Sequence, residues 1–317
     1  MSAPVPASVP LPAITGVSGE LADRLTRYAA QAEGAFSANT VRAIRSDTAL
    51  FSAWCAERGL SALPADPETV AAFVDDMGET RKPATVSRYV SSLAHMHRAA
   101  DLAPPTASNA VRLALRRLRR AKGTRQRQAK PMRLPQLRAA LDRMGTSLID
   151  LRDAALLGAA YDTGARGSEL GALRLADVES EPDGSGSVLI RRSKTDQEGE
   201  GSVRYLSADT MARIAAWREA ARLEPDAFLF PPLSNRGERE HLSADDVRER
   251  IKRRVGTSYS AHSTRVGAAQ DARAAGASTG ALMTAYGWRS DRMPARYTER
   301  LAAQDNAAAA LARAQGR

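Results

Sequence analysis

Cysteine, histidine and nucleotide-binding motifs are scarce in this 317-residue sequence. Cys55 is the single cysteine, which excludes a disulfide framework and any cysteine-based zinc cluster. The four histidines are scattered, at positions 95, 97, 241 and 262, and form no metal-ligand pattern. No GxxxxGK(S/T) phosphate loop and no GxSxG elbow occur, so ATP hydrolysis and serine-hydrolase chemistry are not expected. We therefore expect no metal and no other cofactor.

Long apolar runs are also missing. No stretch of about 18 apolar residues occurs, which excludes a membrane-spanning helix. Residues 1–18 are rich in proline and small residues, and they lack the early positive charge and apolar centre of a secretory signal. We expect a flexible N-terminal arm over 1–18 and, because no export signal is visible, a cytoplasmic protein.

Positive charge is in excess. Basic residues outnumber acidic ones by 46 to 36, which favours a polyanionic partner, most often nucleic acid. No acidic residue occurs between Asp101 and Asp142, where eleven basic residues occur. The centre of this stretch has little apolar content, so we predict a basic linker over 123–131 that separates a domain at 19–122 from one at 132–317. A solvated helix face is the alternative interpretation of such a charge run.

The first predicted domain has the apolar spacing of helices. Segments 40–55 and 85–99 place apolar residues three and four positions apart. Ser37 precedes one helical segment, and Asp66 followed by proline precedes another, which is typical of helix starts. This domain is predicted to be all helical.

The second predicted domain is mainly helical with one interruption. Segments 187–192 and 202–206 have the composition of short strands, and the polar turn between them, 193–201, contains Lys194 and two glycines. These segments predict a small β-hairpin. The alanine-rich end of the chain, 305–317, favours a further helix.

Two short motifs place arginine beside a possible partner. His262 and Arg265 are three residues apart and would share one face of a helix, where a guanidinium fork and an imidazole could meet a phosphate. Two glycines bracket Arg166, and Glu169 follows one helical turn later, within reach of the guanidinium. Taken alone, the first motif more often has a structural role, and the second more often reflects an ion pair at a helix start.

The order of these motifs resembles the tyrosine recombinase (phage integrase) family. The matching elements are TGARGSELGALRLADV at 163–178, Lys194 in the hairpin turn, AHSTRVGAAQD at 261–271, the Gly-Trp pair ending at Trp288, and Tyr297. They occur in the family's order and at its typical spacing. The likeness covers roughly residues 35–312 and includes the N-terminal segment.

The resemblance implies a mainly α-helical fold in two domains that form a C-shaped clamp around DNA. Residues 19–122 would be the helical core-binding domain. Residues 132–317 would be the catalytic domain with its small β-hairpin or sheet, joined to the first by the linker at 123–131.

The resemblance also implies a set of catalytic residues, namely Arg166, Glu169, Lys194, His262, Arg265, Trp288 and Tyr297. In the family, the two arginines and the histidine hold the scissile phosphate, and the acidic residue supports the first arginine. Trp288 occupies a position where many relatives have a second histidine. Tyr297 would be the nucleophile, and Lys194 would protonate the departing 5′ oxygen.

DNA contacts are implied at a second set of positions, which align with DNA-touching positions of relatives or carry the basic charge beside the linker: Thr40, Arg42, Thr85, Arg88, Arg116, Arg117, Arg119, Arg120, Lys122 and Arg248. The clustered arginines are expected to meet phosphates, which position a protein on DNA without specifying sequence. The helix that starts near Ser243 aligns with a major-groove helix, and acidic residues occupy its first turn.

The resulting hypothesis is a site-specific DNA recombinase. It would cut and rejoin double-stranded DNA at inverted repeats through a 3′-phosphotyrosine and a Holliday junction, without metal or ATP. A homotetramer would form on DNA, with the apolar helix at 305–312 docked into a neighbouring protomer. The alternatives are a type IB topoisomerase-like enzyme and a catalytically silent DNA-binding regulator. A covalent adduct at one DNA site, and the joining of two such sites, would separate the three.

Overall fold

The computed structural model describes residues 19–193, 196, 199–233 and 240–317. The predicted arm at 1–18 and Lys194 lie outside the described residues. The chain divides into two compact units, Met1–Gln126 and Arg127–Arg317. The division falls inside the segment 123–131 that the sequence marks as a basic linker.

The first unit is helical throughout its described residues, apart from connecting turns. Its α-helices are α1 (Gly19–Gln31), α2 (Ala38–Ala56), α3 (Pro67–Thr80), α4 (Pro83–Ala99) and α5 (Asn109–Lys122). Ser37 caps α2, and its hydroxyl accepts a hydrogen bond from the backbone N–H of Thr40 at 3.2 Å. Pro67 opens α3, where its fixed φ suits the first helical position. Both predicted helix starts are confirmed.

An aromatic cluster forms the core of the first unit. Phe51 and Trp54 of α2 pack against Phe73 of α3, with ring centroids 5.0 and 5.4 Å from that of Phe73 in edge-on arrangements. Tyr89 of α4 closes the cluster, with its ring centroid 6.2 Å from that of Phe73. Burial of these rings fixes three helices around one centre and leaves their outer faces to solvent.

The second unit combines helices with a small sheet. Its elements are α6 (Leu134–Leu141), α7 (Leu148–Thr163), α8 (Gly167–Gly171), β1 (Val178–Ser180), β2 (Gly186–Ile190), β3 (Ser202–Leu206), α9 (Ala208–Ala221), α10 (Ala244–Val255), α11 (Ala261–Ala274), α12 (Thr279–Tyr286), α13 (Arg292–Gln304) and α14 (Ala307–Ala314). The predicted class, mainly α with a small sheet, is confirmed. None of the helices in the described ranges is long and apolar enough to cross a membrane.

The sheet is antiparallel with the order β1-β2-β3. The second predicted strand is confirmed at Ser202–Leu206, whereas the bounds of the first are wrong, since it spans Gly186–Ile190 rather than 187–192. The pairing of β2 with β3 ends at Ile190 and Ser202, because the next residue on the partner side, Gly201, has φ +75° and is not extended. The sequence gives no sign of β1, since three residues are too few for an alternating pattern.

Helix α7 is the centre of the second unit. Its residues from Arg152 to Ala160 are all buried, because helices and the sheet cover it on several sides. The Arg152 guanidinium is fully buried and pairs with Asp153 at 2.9 Å, and Arg254 of α10 also donates to Asp153 at 2.8 Å. This buried ion network fixes the α10–α7 contact.

The C-terminal helix is shorter than the sequence predicts. The alanine-rich segment favours a helix over 305–317, but α14 spans Ala307–Ala314. The Asn306 side chain accepts from the backbone N–H of Ala309 at 3.0 Å, and this cap starts the helix after residue 305. No residue of α14 is buried.

The chain enters the second unit along α11. The backbone N–H of Met132 donates to the carbonyl of Ser263 at 2.9 Å, and Asp271 accepts from the Arg133 side chain and from the Leu134 N–H. Gly267 permits this approach, because an added Cβ would lie 1.8 Å from the Met132 carbonyl oxygen. The close backbone contact therefore requires glycine.

The Gly267→Ala substitution should destabilise the second unit by about 1–3 kcal/mol, because backbone rather than a flexible side chain must move. Gly280→Ala is the matched control, since its helical position is open and the nearest atom would be 3.8 Å from the new Cβ. Urea unfolding followed by circular dichroism measures both. An unchanged free energy of unfolding for Gly267→Ala would contradict this packing.

Candidate active site

Arg166 lies where α7 ends and α8 begins. Gly164 ends α7 at φ +56°, and an added Cβ there would lie 2.6 Å from the Tyr286 ring, so the turn requires glycine. The Arg166 backbone N–H and its Nη1 both donate to the Glu169 carboxylate, at 2.8 and 2.5 Å. The Glu169 side chain is 5% exposed, whereas that of Arg166 is 34% exposed. The buried carboxylate thus orients the guanidinium and leaves its other donors for a ligand.

Arg265 of α11 is buried and joins two helix ends. Its Nη1 donates to the Gly164 carbonyl at 2.5 Å and its Nη2 to the Tyr286 carbonyl at 3.0 Å. Burial, and next the charge of Arg166, lower the pKa of Arg265 to about 10. The guanidinium therefore stays protonated at neutral pH and places a fixed positive charge inside the site.

His262 and Tyr297 form a hydrogen-bonded pair. The Tyr297 hydroxyl lies 3.1 Å from His262 Nε2, and the two rings meet edge-on with centroids 5.5 Å apart. His262 stands one helical turn before Arg265 on α11, as the three-residue spacing predicts, and Tyr297 comes from α13. The distance is short enough for direct proton transfer between oxygen and nitrogen.

The electrostatics of this pair keep His262 unprotonated, and therefore able to accept a proton. Burial, followed by the charges of Arg265, Arg166 and Arg296, lowers the pKa of His262 below its ordinary value of 6.5. The imidazole is therefore neutral at neutral pH and can accept a proton. Burial raises the pKa of Tyr297, while the same arginines oppose that rise by stabilising the phenolate. The hydroxyl is thus a poor nucleophile until its proton is removed.

Trp288 presents a buried donor without an acceptor. Its indole Nε1 has no hydrogen-bond partner in the described part of the chain, although burial normally demands one. The ring packs between Tyr286 and Tyr297, with centroids 5.2 and 5.4 Å away, and the Arg265 guanidinium lies 4.9 Å from its centre. An anion held by the arginines would supply the missing acceptor.

The structure brings six of the seven expected catalytic side chains to one place: Arg166, Glu169, His262, Arg265, Trp288 and Tyr297. They come from the start of α8, α8 itself, α11, the turn after α12, and α13. Lys194 lies outside the described residues, between β2 and β3 in the sequence. Within the described ranges, no group of three or more histidine, cysteine or acidic side chains is placed to hold a metal ion.

Sequence reasoning missed three residues that touch this site. Arg204 of β3 is 5% exposed and interacts electrostatically with Glu169 and Arg166. Two glutamine side chains hold the backbone of α13. Gln270 donates to the Tyr297 carbonyl and Gln128 to the Arg296 carbonyl, each at 3.0 Å. The only sequence signal was the alternation of β3, which places Arg204 on the same face as the buried Leu206.

The positions expected to bind DNA in the first unit lie at its surface. Helix α5 buries Val111, Ala114 and Leu118, and its arginines lie on the exposed side. Several basic side chains there have partners within the unit, since Arg117 pairs with Asp75 at 2.7 Å and Arg119 donates to Ser87 at 3.2 Å. Partners of this kind hold the basic face in a defined arrangement.

Several other residues that are expected to bind DNA also have local partners. Arg88 pairs with the buried Asp47 at 2.7 Å, Arg42 donates to Asn39 at 2.8 Å, and Lys122 donates to the Glu79 carbonyl at 2.7 Å. In the second unit, Arg248 of α10 pairs with Asp245 at 3.0 Å. The aspartate reduces the local positive charge at the start of α10.

Comparison with known proteins shows to which family the chain belongs. Residues 130–304, more than half of the sequence, match the model of the phage integrase family. The chain therefore belongs to the phage integrase family. This family comprises the tyrosine recombinases, and the arrangement of Tyr297, His262 and the two arginines fits that assignment.

Named relatives span most of this tyrosine recombinase. It is 30% identical over 278 residues to an integrase/recombinase xerD homolog of Selenomonas ruminantium, covering 82% of this chain and 81% of the relative. It is 27% identical over 302 residues to the recombinase cre of Escherichia phage P1, covering 86% and 87%. The structure of XerH site-specific recombinase bound to palindromic difH substrate matches with a TM-score of 0.64 at 15% identity, covering 93% and 90%. The predicted family and fold are confirmed.

The pH dependence of the reaction should reflect His262. The acidic limb of the DNA cleavage rate should lie below pH 6.5, because protonated His262 cannot accept the tyrosine proton and its pKa is lowered. Arg296→Gln removes one of the charges that lower this pKa, so the limb should move to higher pH. Single-turnover rates between about pH 5 and 8 measure both, with Arg313→Gln on α14 as the unshifted control. A limb at or above 6.5 in the unsubstituted protein would refute this assignment.

Proposed function

We propose that this recombinase cuts DNA by attack of the Tyr297 hydroxyl on a backbone phosphate. The observation that carries the proposal is the 3.1 Å contact between Tyr297 and His262, beside the buried Arg265. His262 takes the phenolic proton as the Tyr297 oxygen bonds to phosphorus. The bond from phosphorus to the 5′ oxygen breaks, and a 3′-phosphotyrosine forms.

Arg166, Arg265 and Trp288 stabilise the phosphoryl group during this step. The pentavalent transition state gathers negative charge on the non-bridging oxygens, and preformed donors in a water-poor site stabilise such charge best. Arg166 offers the donors that Glu169 leaves unused, and Trp288 offers its buried indole N–H. Glu169 itself stays with Arg166 as the group that orients it.

Lys194 supplies the proton that the departing 5′ oxygen needs. Its place between β2 and β3 follows from the sequence, where it matches the lysine of the family's hairpin turn. The covalent bond to Tyr297 conserves the phosphodiester energy. A free 5′ hydroxyl can therefore attack the phosphotyrosine and rejoin the strand without ATP.

The substrate proposed here is double-stranded DNA with inverted repeats, processed in the cytoplasm. The exposed basic face of α5 supplies phosphate contacts, and residues 19–122 and 132–317 act as two DNA-contacting domains joined at 123–131. The related XerH recombinase was crystallised on a palindromic substrate, which supports inverted repeats as the target of this chain. Exchange proceeds through a Holliday junction.

The exposed C-terminal helix supports assembly on DNA into a homotetramer. No residue of α14 is buried, and Leu311 is 54% exposed on an alanine-rich face. A neighbouring protomer that receives this helix would cover the apolar surface, and four protomers in a ring would bring two DNA sites together.

The nucleophile is tested with Tyr297→Phe, which removes only the hydroxyl. Duplexes selected from a randomised library by binding serve as substrates, and denaturing gels measure covalent adduct. We expect Tyr297→Phe to bind DNA normally and form no adduct. Tyr286→Phe is the control and should still form the adduct, because the ring of Tyr286 packs against Gly164 and phenylalanine keeps that ring. An adduct with Tyr297→Phe would contradict the proposal. Adducts without joining of two target sites would favour topoisomerase-type relaxation over recombination.

The acid is tested with a bridging sulfur in place of the 5′ oxygen, since a thiolate leaves without a proton. Lys194→Ala should cleave normal DNA about 10²–10⁴-fold more slowly than the unsubstituted protein and recover with the sulfur substrate. Arg166→Ala should be slowed about 10²–10³-fold on both substrates, because it acts on the phosphoryl oxygens. A Lys194→Ala protein that stays slow with sulfur would show that Lys194 is not the acid.

A further inference from the structure

Arg204 is a buried arginine that the catalytic set does not include. It lies on β3, opposite Val188 of β2, and is 5% exposed. Its neighbours Val203 and Tyr205 point to solvent and are 65% and 62% exposed. A central arginine on the buried face of a short strand is costly, so its contacts must compensate for lost hydration.

The guanidinium of Arg204 is wrapped by the turn that carries Trp288. Nη1 donates to the Ala285 carbonyl at 2.9 Å, and Nη2 donates to the Ser202 hydroxyl at 3.0 Å. Gly287 follows in the left-handed region, at φ +59°, and an added Cβ would lie 1.9 Å from Nη2. The absence of a side chain at Gly287 thus makes room for the guanidinium.

Arg204 and Arg265 bind adjacent carbonyls at the end of one helix. The last carbonyls of α12 have no partners within the helix and carry partial negative charge. Arg204 takes the carbonyl of Ala285, and Arg265 takes that of Tyr286. Since Trp288 lies two residues further on, these two arginines determine where its indole is held.

The charge of Arg204 is not neutralised locally. Within the described ranges no carboxylate forms an ion pair with it, and its buried Nε has no acceptor. Burial lowers the pKa of Arg204, Glu169 opposes that effect at a distance, and Arg166 adds to it. Three guanidinium groups, Arg166, Arg204 and Arg265, therefore share the single carboxylate of Glu169. Placing three guanidinium groups near one carboxylate costs stability, which suggests that Arg204 has a role in the site.

We infer that Arg204 is a positioning residue that holds the turn 285–288, so that the Trp288 indole is aimed at the phosphate. This inference rests on the proposed function. Arg204 acts through the turn and does not touch the DNA. Because β3 also follows the hairpin turn that contains Lys194, the same side chain ties the Trp288 turn to the strand leaving that hairpin.

The role is tested by single-turnover cleavage with Arg204→Met and Arg204→Lys. Arg204→Met should lower the rate of adduct formation about tenfold or more, with DNA affinity within about twofold of the unsubstituted protein. Arg204→Lys keeps the charge but loses the fork that reaches both acceptors, so it should also be slow. The control is Arg174→Met, because Arg174 likewise donates to a backbone carbonyl, that of Asp226, in the same unit.

A double-mutant cycle with Trp288→Phe separates positioning from general stability. If Arg204 acts through the turn, Arg204→Met should cost less than about threefold once the indole is absent, because residues that act as a unit are not additive. Thermal unfolding of each variant verifies folding, and Arg204→Lys supplies the answer if Arg204→Met does not fold.

Three outcomes would overturn the inference: normal cleavage by Arg204→Met, full rescue by Arg204→Lys, or equal effects of Arg204→Met with and without Trp288. Failure of the proposed function is distinguishable from these, because then the unsubstituted protein would form no covalent adduct at all.

Discussion

Burial of one guanidinium, that of Arg265, holds the active site together. Its two terminal nitrogens satisfy the carbonyl at the end of α7 and the carbonyl at the end of α12, two segments that are far apart in sequence, at Gly164 and Tyr286. Arg166 and Glu169 follow the first segment, and Trp288 follows the second. Without the Arg265 bridge, the segment with Arg166 and Glu169 and the segment with Trp288 would have no fixed place relative to His262 and Tyr297.

The requirement for a permanent cation in a dry site accounts for the other features. A lysine or histidine would lose its proton under such desolvation, whereas the pKa of Arg265 falls only to about 10. Burial and the same positive field keep His262 neutral, and the field opposes the rise that burial gives to the pKa of Tyr297. The site therefore carries an excess of positive charge in the protein alone, and a bound anion would neutralise that excess.

Local patterns in the sequence predicted the parts of the site that depend on short spacing. The three-residue intervals of Arg166 to Glu169 and of His262 to Arg265 correspond to single helical turns, so their geometry follows directly. Strand β3 was predicted because its five residues have the composition of a strand, whereas β1 has only three residues and no such signal.

Long-range contacts could not be read in the same way. The hydrogen bond from Gln128 to the Arg296 carbonyl joins residues 168 positions apart, and nothing local to either residue announces it. The alternation of β3 places Arg204 on the face of Leu206, but its burial was not predicted, because an arginine in a strand ordinarily points to solvent. Only the resemblance to the phage integrase family placed Tyr297 with the other residues, since a lone buried tyrosine has no distinguishing pattern.

The path of the chain along α11 limits where this protein can be joined to a domain of another protein in a chimaera. The second unit is completed by residues ahead of its first helix, because Met132 is buried against Gly267 and Gln128 donates to the Arg296 carbonyl beside Tyr297. A chimaera that grafts a foreign DNA-binding module onto this unit must therefore be joined at or before Arg127. A junction placed at the start of α6 would open a groove along the helix that carries His262 and Arg265.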